Sequence, residues 1–205
     1  HRRDIKAAYQ LFSHKDATPE NLQRSHRDQV HWRLAEAGSY LLIEDTTEIA
    51  WPSRSETSGL GILSSKREKG FLLHSVIAVA WDQQRQLADE SHRSPLPVLG
   101  LADQQFHIRQ PIPSGERNSD SVKRHTRLLE SRLWTEAGAH LGNPPPQCRW
   151  IRVCDRGADI YEFLQDCRSR NHHYVVRAAQ DRVLQELVDG TERKLFPAIR
   201  QQPLL

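Results

Sequence analysis

The order of apolar and amphipathic segments constrains the fold of this chain most. Five segments have the composition of short buried strands, at 40–43, 71–80, 96–112, 150–154 and 174–178. Polar links join the first three, which predicts an antiparallel meander. A helix predicted from Asp120 to Leu141 and a second at 160–167 separate the last three strands. Three strands, a helix, a strand, a helix and a strand predict a mixed α/β fold.

The segment before the first strand is predicted to be helical. Thr18 is suited to be an N-cap, Pro19 favours the first helical position, and Gly38 is suited to end the helix. We therefore expect three parts: a helical N-terminal segment at 1–38, a core at 39–182 and a C-terminal part at 183–205. The order of elements in the core is that of a ribonuclease H-like fold with flanking helices, which is one of several mixed α/β topologies that the pattern allows.

Composition limits the class of protein. The chain has 205 residues, of which 37% are hydrophobic and 27% charged, a profile that excludes a disordered chain. The longest nearly apolar run, 70–81, is too short to span a bilayer, so no membrane partner is expected. The net charge is +3, and 23 of the 29 basic residues are Arg. That bias fits a nucleic-acid partner, but it also fits a genome that favours Arg codons.

Two carboxylates carry the chemistry that the residues themselves predict. Asp45 and Asp155 each follow an apolar strand, and sites in α/β sheets gather at strand ends. If the first and fourth strands are neighbours, the two side chains meet and predict a Mg²⁺ site for phosphoryl chemistry. The alternative is that each Asp only caps the next segment. Asp159 is a rival to Asp155, one helical turn farther on.

Five blocks, in order, resemble insertion-sequence-four family DDE transposases. They are Leu42-Ile43-Glu44-Asp45-Thr46-Thr47, Gly70-Phe71-Leu72-Leu73-His74-Ser75-Val76, Leu129-Glu130-Ser131-Arg132-Leu133-Trp134, Val153-Cys154-Asp155-Arg156-Gly157-Ala158-Asp159-Ile160 and Tyr174-Val175-Val176-Arg177. The tail at 195–203 also resembles the family's entry into a β-rich insertion, which gives 183–205 that interpretation. The resemblance implies that 1–38 is the remnant of a DNA-binding region.

The resemblance implies a bacterial cut-and-paste transposase with a ribonuclease H-like domain. Such an enzyme binds transposon-end DNA as a synaptic dimer and uses Mg²⁺ or Mn²⁺ held by an Asp-Asp-Glu triad. Asp45 and Asp155 correspond to the first two acids. The third lies in a Tyr-Arg-Glu-Lys signature that this sequence lacks, and neither Glu186 nor Glu192 lies in such a signature. We therefore expect a central piece of a catalytic domain, truncated at both ends, cytoplasmic, and inactive alone.

Further residues have weaker interpretations. Arg177, Lys66, Arg67 and Lys69 are candidate DNA contacts, although Arg177 is as compatible with an ordinary ion pair and the lysine-rich run with a solvated loop. His74 is expected to form a hydrogen bond in the core. Glu130 and Trp134 are interpreted as helix-packing residues, and Cys154 and Cys167 as buried apolar side chains. Two alternative functions stay open, an inactive remnant that only binds DNA and a metal-dependent nuclease of the same fold.

Overall fold

The helices and strands of the protein form a mixed α/β fold. The computed structural model describes residues 2–51, 57–63, 68–81, 95–109, 130–188 and 192–202. The helices are α1 (Arg2–Phe12), α2 (Pro19–Leu34), α3 (Arg132–Leu141), α4 (Tyr161–Ser169) and α5 (Leu195–Arg200), with a 3₁₀ turn at Arg156–Ala158. The strands are β1 (Gly38–Ala50), β2 (Gly61–Ile62), β3 (Lys69–Trp81), β4 (Val98–His107), β5 (Cys148–Cys154), β6 (His173–Val176), β7 (Val183–Val188) and β8 (Glu192–Lys194).

The main sheet combines an antiparallel meander with a parallel pair of strands. β3 lies between β1 and β4, antiparallel to both, and the two-residue β2 pairs with the start of β3. On its other side β1 pairs in parallel with β5, which pairs in parallel with β6. The meander and the adjacency of the first and fourth predicted strands are thereby confirmed. β7 and β8 form a separate two-stranded sheet.

The two faces of the main sheet differ because side chains alternate along each strand. Tyr40, Leu42 and Glu44 of β1 are buried on the face that the helices cover. The core on that face joins the strands to α2 and α3 through Val30, Leu34, Ala137, Leu141 and Trp150, among others. On the opposite face Ile43 and Ile77 are each 42% exposed. Helices α2, α3 and α4 therefore lie on one side of the sheet.

Helix α2 is fixed to the sheet by polar contacts as well as by its apolar face. The predicted N-cap is present, since the Thr18 hydroxyl accepts a hydrogen bond from the Asn21 amide at 3.2 Å. His26 Nε2 accepts from the Leu101 amide of β4 at 2.9 Å. His31 Nε2 lies 2.8 Å from the Ala102 carbonyl oxygen. α2 therefore covers part of the β4 backbone, while the division of the chain at residue 38 stays a prediction.

Several predicted boundaries differ from the observed ones. α2 ends at Leu34 rather than at Gly38, which opens β1 instead. β1 continues to Ala50, because β3 pairs with it along its whole length, so Asp45 is not at the tip of its strand. The expected start of the long helix, from Asp120 to Leu129, lies outside the described residues. Within the described ranges no helix is long and apolar enough to cross a membrane.

Candidate functional site

The parallel pairing of β1 and β5 brings the two predicted acids together. The last pair in that ladder is Glu44 with Cys154. Asp45 follows Glu44 in β1, and Asp155 follows Cys154 directly after β5. Neighbouring strands lie about 5 Å apart, so two residues 110 positions apart in the sequence become adjacent. Both side chains are exposed, and Asp45 lies on the face opposite to buried Glu44. The two acids therefore lie where β5 ends, beside the middle of β1.

Each carboxylate is oriented by one backbone amide. Asp45 Oδ1 accepts a hydrogen bond from the Thr46 amide at 2.8 Å. Asp155 Oδ1 accepts from the Gly157 amide at 2.7 Å and thereby caps the 3₁₀ turn. The capping contact of Asp155 is therefore present, and it leaves the second oxygen of that carboxylate without a hydrogen bond from a described residue. The second oxygen of Asp45 likewise accepts no hydrogen bond from a described residue.

The donor set fits a hard divalent cation. Two exposed carboxylates at one point repel each other, and a cation between them removes that repulsion. Mg²⁺ and Mn²⁺ favour oxygen ligands, and Mg²⁺ in particular keeps several of its waters. In the described part of the chain no cluster of three or more His, Cys, Asp or Glu side chains is placed to hold a metal. A cation at Asp45 and Asp155 would therefore have water as most of its ligands.

Arg177 lies beside the two acids, and Lys69 does not. The Arg177 amide donates to the Cys154 carbonyl at 3.2 Å, which places Arg177 one strand beyond Asp155. Its side chain is exposed and forms no ion pair with a described residue. Lys69 lies at the start of β3, six residues or about 20 Å from Ser75, the β3 partner of Asp45. Lys66 and Arg67 lie outside the described residues.

Asp159 has a structural role rather than a place beside Asp45. Its side chain is buried, and its Oδ2 accepts from the Ala179 and Gln180 amides at 2.6 and 2.9 Å. The Arg182 guanidinium also donates to its other oxygen. Burial opposes ionisation, but these hydrogen bonds outweigh it, and the pKa of Asp159 is lowered. Asp159 thus holds the segment that follows Arg177 against the end of the 3₁₀ turn.

A buried ion pair that the sequence analysis missed lies on the other face of the same strands. Glu44 accepts from Arg152 Nε at 2.5 Å and from Nη2 at 2.6 Å, and both side chains are 0% exposed. Arg152 Nη2 also donates to the Trp134 carbonyl at 2.6 Å, and its guanidinium lies 4.5 Å from the Phe163 ring centroid. Burial raises and these contacts lower the pKa of Glu44, and the net shift is downward. The sequence did contain a sign of this pair, because each of the two apolar strands has one charged residue at a position that faces the core.

His74 connects this pair to the site. Its Nε2 lies 3.6 Å from Glu44 Oε2, and its Nδ1 lies 2.8 Å from the Thr46 hydroxyl. The ring is fully buried and meets Trp134 edge to face at 4.6 Å. The predicted hydrogen bond of His74 in the core is confirmed.

Four other residues were predicted to pack in the core. Trp134 is buried as expected, whereas Glu130 is exposed and forms a bidentate ion pair with Arg109, so its interpretation as a packing residue is wrong. Cys154 and Cys167 are buried as predicted. Burial raises the pKa of Cys154 well above its usual range and that of Cys167 to about 11. Both thiols therefore stay protonated and are poor metal ligands.

No protein-family model matches this sequence. The chemistry of the site is therefore argued from its geometry: two exposed carboxylates at adjacent positions of the sheet, the Arg177 guanidinium beside them without an ion pair to a described residue, and a buried charged network beneath.

Proposed function

We propose that this chain carries part of the catalytic core of a DDE-type transposase of the insertion-sequence-four family. In this proposal the transposase performs metal-dependent cleavage and strand transfer of transposon-end DNA, and this chain alone, without the third acid of the triad, is inactive. The observation that carries the proposal is the parallel register of β1 and β5, which makes Asp45 and Asp155 adjacent. These two residues are also the ones that fall in the two catalytic blocks of the resemblance.

The sheet supports a ribonuclease H-like core as the finer description of the fold. Along the sheet the order is β4-β3-β1-β5-β6, with β1 central; β3 is antiparallel to both of its neighbours, and β1, β5 and β6 are parallel to one another. The antiparallel meander comes first in the sequence, and the parallel strands follow α3 and α4. The elements therefore follow one another in the order that the sequence pattern predicts for a ribonuclease H-like fold.

The roles of the residues follow from their positions. Asp45 and Asp155 would hold Mg²⁺ or Mn²⁺, which would activate a water or a DNA 3′-hydroxyl and stabilise the leaving oxygen. Arg177 would bind a phosphate oxygen next to the scissile bond, because a guanidinium presents a fork of donors that matches two such oxygens. Double-stranded DNA is the proposed partner, bound by two copies of the chain. We propose that this takes place in the bacterial cytoplasm, with the protein on the nucleoid when it is bound to DNA.

Metal binding tests the proposal directly. Mn²⁺ binding is measured by the loss of its free electron paramagnetic resonance signal, for the wild type and for Asp45→Asn, Asp155→Asn and the double variant. We expect weak binding by the wild type and a loss of at least tenfold in affinity in each variant, because two protein ligands leave little to compensate for one. Asp28→Asn, on the exposed surface of α2, is the matched control and should bind as the wild type does.

Two outcomes separate the proposal from its alternatives. Equal Mn²⁺ affinity in the wild type and in the double variant would show that the two acids do not hold the metal. DNA binding that persists in a chain without any metal affinity would favour the inactive remnant. Mg²⁺-dependent nicking by this chain alone, lost in Asp155→Asn, would favour the nuclease.

A further inference from the structure

We infer that Thr46 and His74 are positioning residues for the Asp45 carboxylate, and that they fix its orientation toward a divalent cation from the buried side of the sheet. This inference rests on the proposed function, since it names what prepares the proposed ligand. The side chains of Thr46 and His74 lie on the buried face of the sheet and would act on the cation only through Asp45.

The starting point is the rigidity of the Glu44 carboxylate. Two donors from Arg152 hold it, and Arg152 is itself held by the Trp134 carbonyl and by Asp166, 3.3 Å away. Both members of the central pair are fully buried. Rotation of either side chain would break charge-assisted hydrogen bonds in a site that water does not reach, so the pair forms a fixed reference.

The second step passes from Glu44 to the imidazole. Glu44 Oε2 lies 3.6 Å from His74 Nε2, beyond hydrogen-bond distance, but the negative charge of this carboxylate favours the proton of His74 on the nearer nitrogen, Nε2. Nδ1 is then the acceptor, and the Thr46 hydroxyl donates to it at 2.8 Å. Edge-to-face packing on Trp134 fixes the plane of the ring. Three neighbours therefore determine both the ring orientation and its tautomer.

The third step passes from Thr46 to Asp45. β5 ends opposite Glu44, so the parallel ladder gives β1 no partner beyond that residue. The Thr46 amide donates instead to Asp45 Oδ1 at 2.8 Å. The Thr46 side chain points to the buried face and anchors the backbone from which this amide projects. The network thus orients one oxygen of Asp45 and leaves the other for the cation.

The experiment compares variants that remove or keep the Thr46 hydroxyl. Thr46→Val removes it with little change in volume, and Thr46→Ser keeps it. Groups that orient a metal ligand typically contribute 10–100-fold to affinity. We expect Thr46→Val to weaken Mn²⁺ binding about tenfold and Thr46→Ser to stay within about twofold of the wild type. Thr135→Val is the matched control, because the Thr135 hydroxyl donates to the Arg132 carbonyl on α3, and this variant should leave the affinity unchanged.

The outcomes distinguish this inference from the function on which it rests. Wild-type Mn²⁺ affinity in Thr46→Val, with a loss in Asp45→Asn, overturns the positioning role alone. Equal affinity in the wild type and Asp45→Asn overturns the proposed metal site as well. If Thr46→Val does not give a folded protein by circular dichroism, Thr46→Ala removes the same hydroxyl without adding bulk, and the same tenfold loss is expected. A tenfold loss in Thr46→Ser as well would attribute the effect to the methyl group and overturn the inference.

Discussion

Glu44 and Arg152 form a bidentate ion pair inside the protein, on strands that are adjacent in the sheet and 108 residues apart in the sequence. The next residue of β1 is exposed Asp45, so one strand carries a buried charge and a solvent-facing charge side by side. The two carboxylates occupy opposite faces of the sheet. Burial and a partner make Glu44 structural, and exposure makes Asp45 available to a ligand.

Removal of one member of this pair is expected to destabilise the fold strongly. In Arg152→Met the Glu44 carboxylate stays buried without its partner, and such a charge costs roughly 3–5 kcal/mol. The double variant Glu44→Leu, Arg152→Met removes both charges and should recover most of that loss, because the desolvation penalty disappears as well. Urea unfolding followed by circular dichroism measures both free energies. A double variant less stable than Arg152→Met would show that the pair stabilises the fold beyond mutual neutralisation.

A second prediction concerns acid stability. His172 is buried, its Nε2 lies 2.9 Å from the Gly142 carbonyl, and burial lowers its pKa to about 4. The unfolded chain binds this proton near pH 6.5 and the folded chain does not, so stability falls as the pH drops from about 6.5 to 4. The slope is at most about 1.4 kcal/mol per pH unit.

The comparison of His172→Gln with His173→Gln tests this assignment. Glutamine keeps an N–H donor but does not titrate, so urea unfolding of His172→Gln should lose most of the decline in stability between pH 7 and pH 5. His173 is the exposed neighbour, and its variant should keep the wild-type decline. The same decline in both variants would assign the effect to other groups.

Much of the sheet could be predicted from the sequence because apolar runs and turn residues report strands directly. The adjacency of β1 and β5 was a conditional expectation, and the register that pairs Glu44 with Cys154 then placed Asp45 beside Asp155. Asp45 was wrongly placed at a strand tip, because the polar half of β1, 44–50, is held by pairing with β3 and not by an apolar pattern. Long-range pairing of this kind leaves no local signal.

The buried network was the larger omission, for a physical reason. Glu44 and Arg152 each interrupt the inward row of an apolar strand, and a single charged residue in such a row usually marks an exposed position. Only the joint placement of the two strands shows that the charges neutralise each other. The structural role of Asp159 could not be predicted either. Its partner Arg182 lies on the far side of β6 in the sequence, and the spacing of the two residues does not indicate that they are in contact.

DNA binding should depend on salt and on Arg177. The proposed contact with a phosphate displaces condensed counterions, so the affinity for double-stranded DNA should fall linearly on a plot of log K against log salt. Arg177→Ala should make that slope shallower by about one unit. Arg168→Ala removes an exposed guanidinium from α4, on the helical side of the sheet, and should leave the slope unchanged. Fluorescence anisotropy from about 50 to 200 mM salt measures both, and a salt-independent affinity would argue against a nucleic-acid partner.

The last prediction concerns a glycine inside α3. In an exposed helix, Gly→Ala stabilises by about 1 kcal/mol, because alanine has the higher helix propensity. Gly138 is buried, and a Cβ there would overlap Asp166 Oδ2 and lie 2.8 Å from Arg152 Nη1. We therefore expect Gly138→Ala to destabilise the protein by about 1–3 kcal/mol, as overpacking does, since Arg152 cannot retreat without loss of its contacts to Glu44. Ala139→Gly, at the exposed neighbouring position, should cost only the propensity difference of about 1 kcal/mol. Urea unfolding measures both variants, and a Gly138→Ala protein more stable than the wild type would mean that α3 does not pack closely against the Arg152 guanidinium.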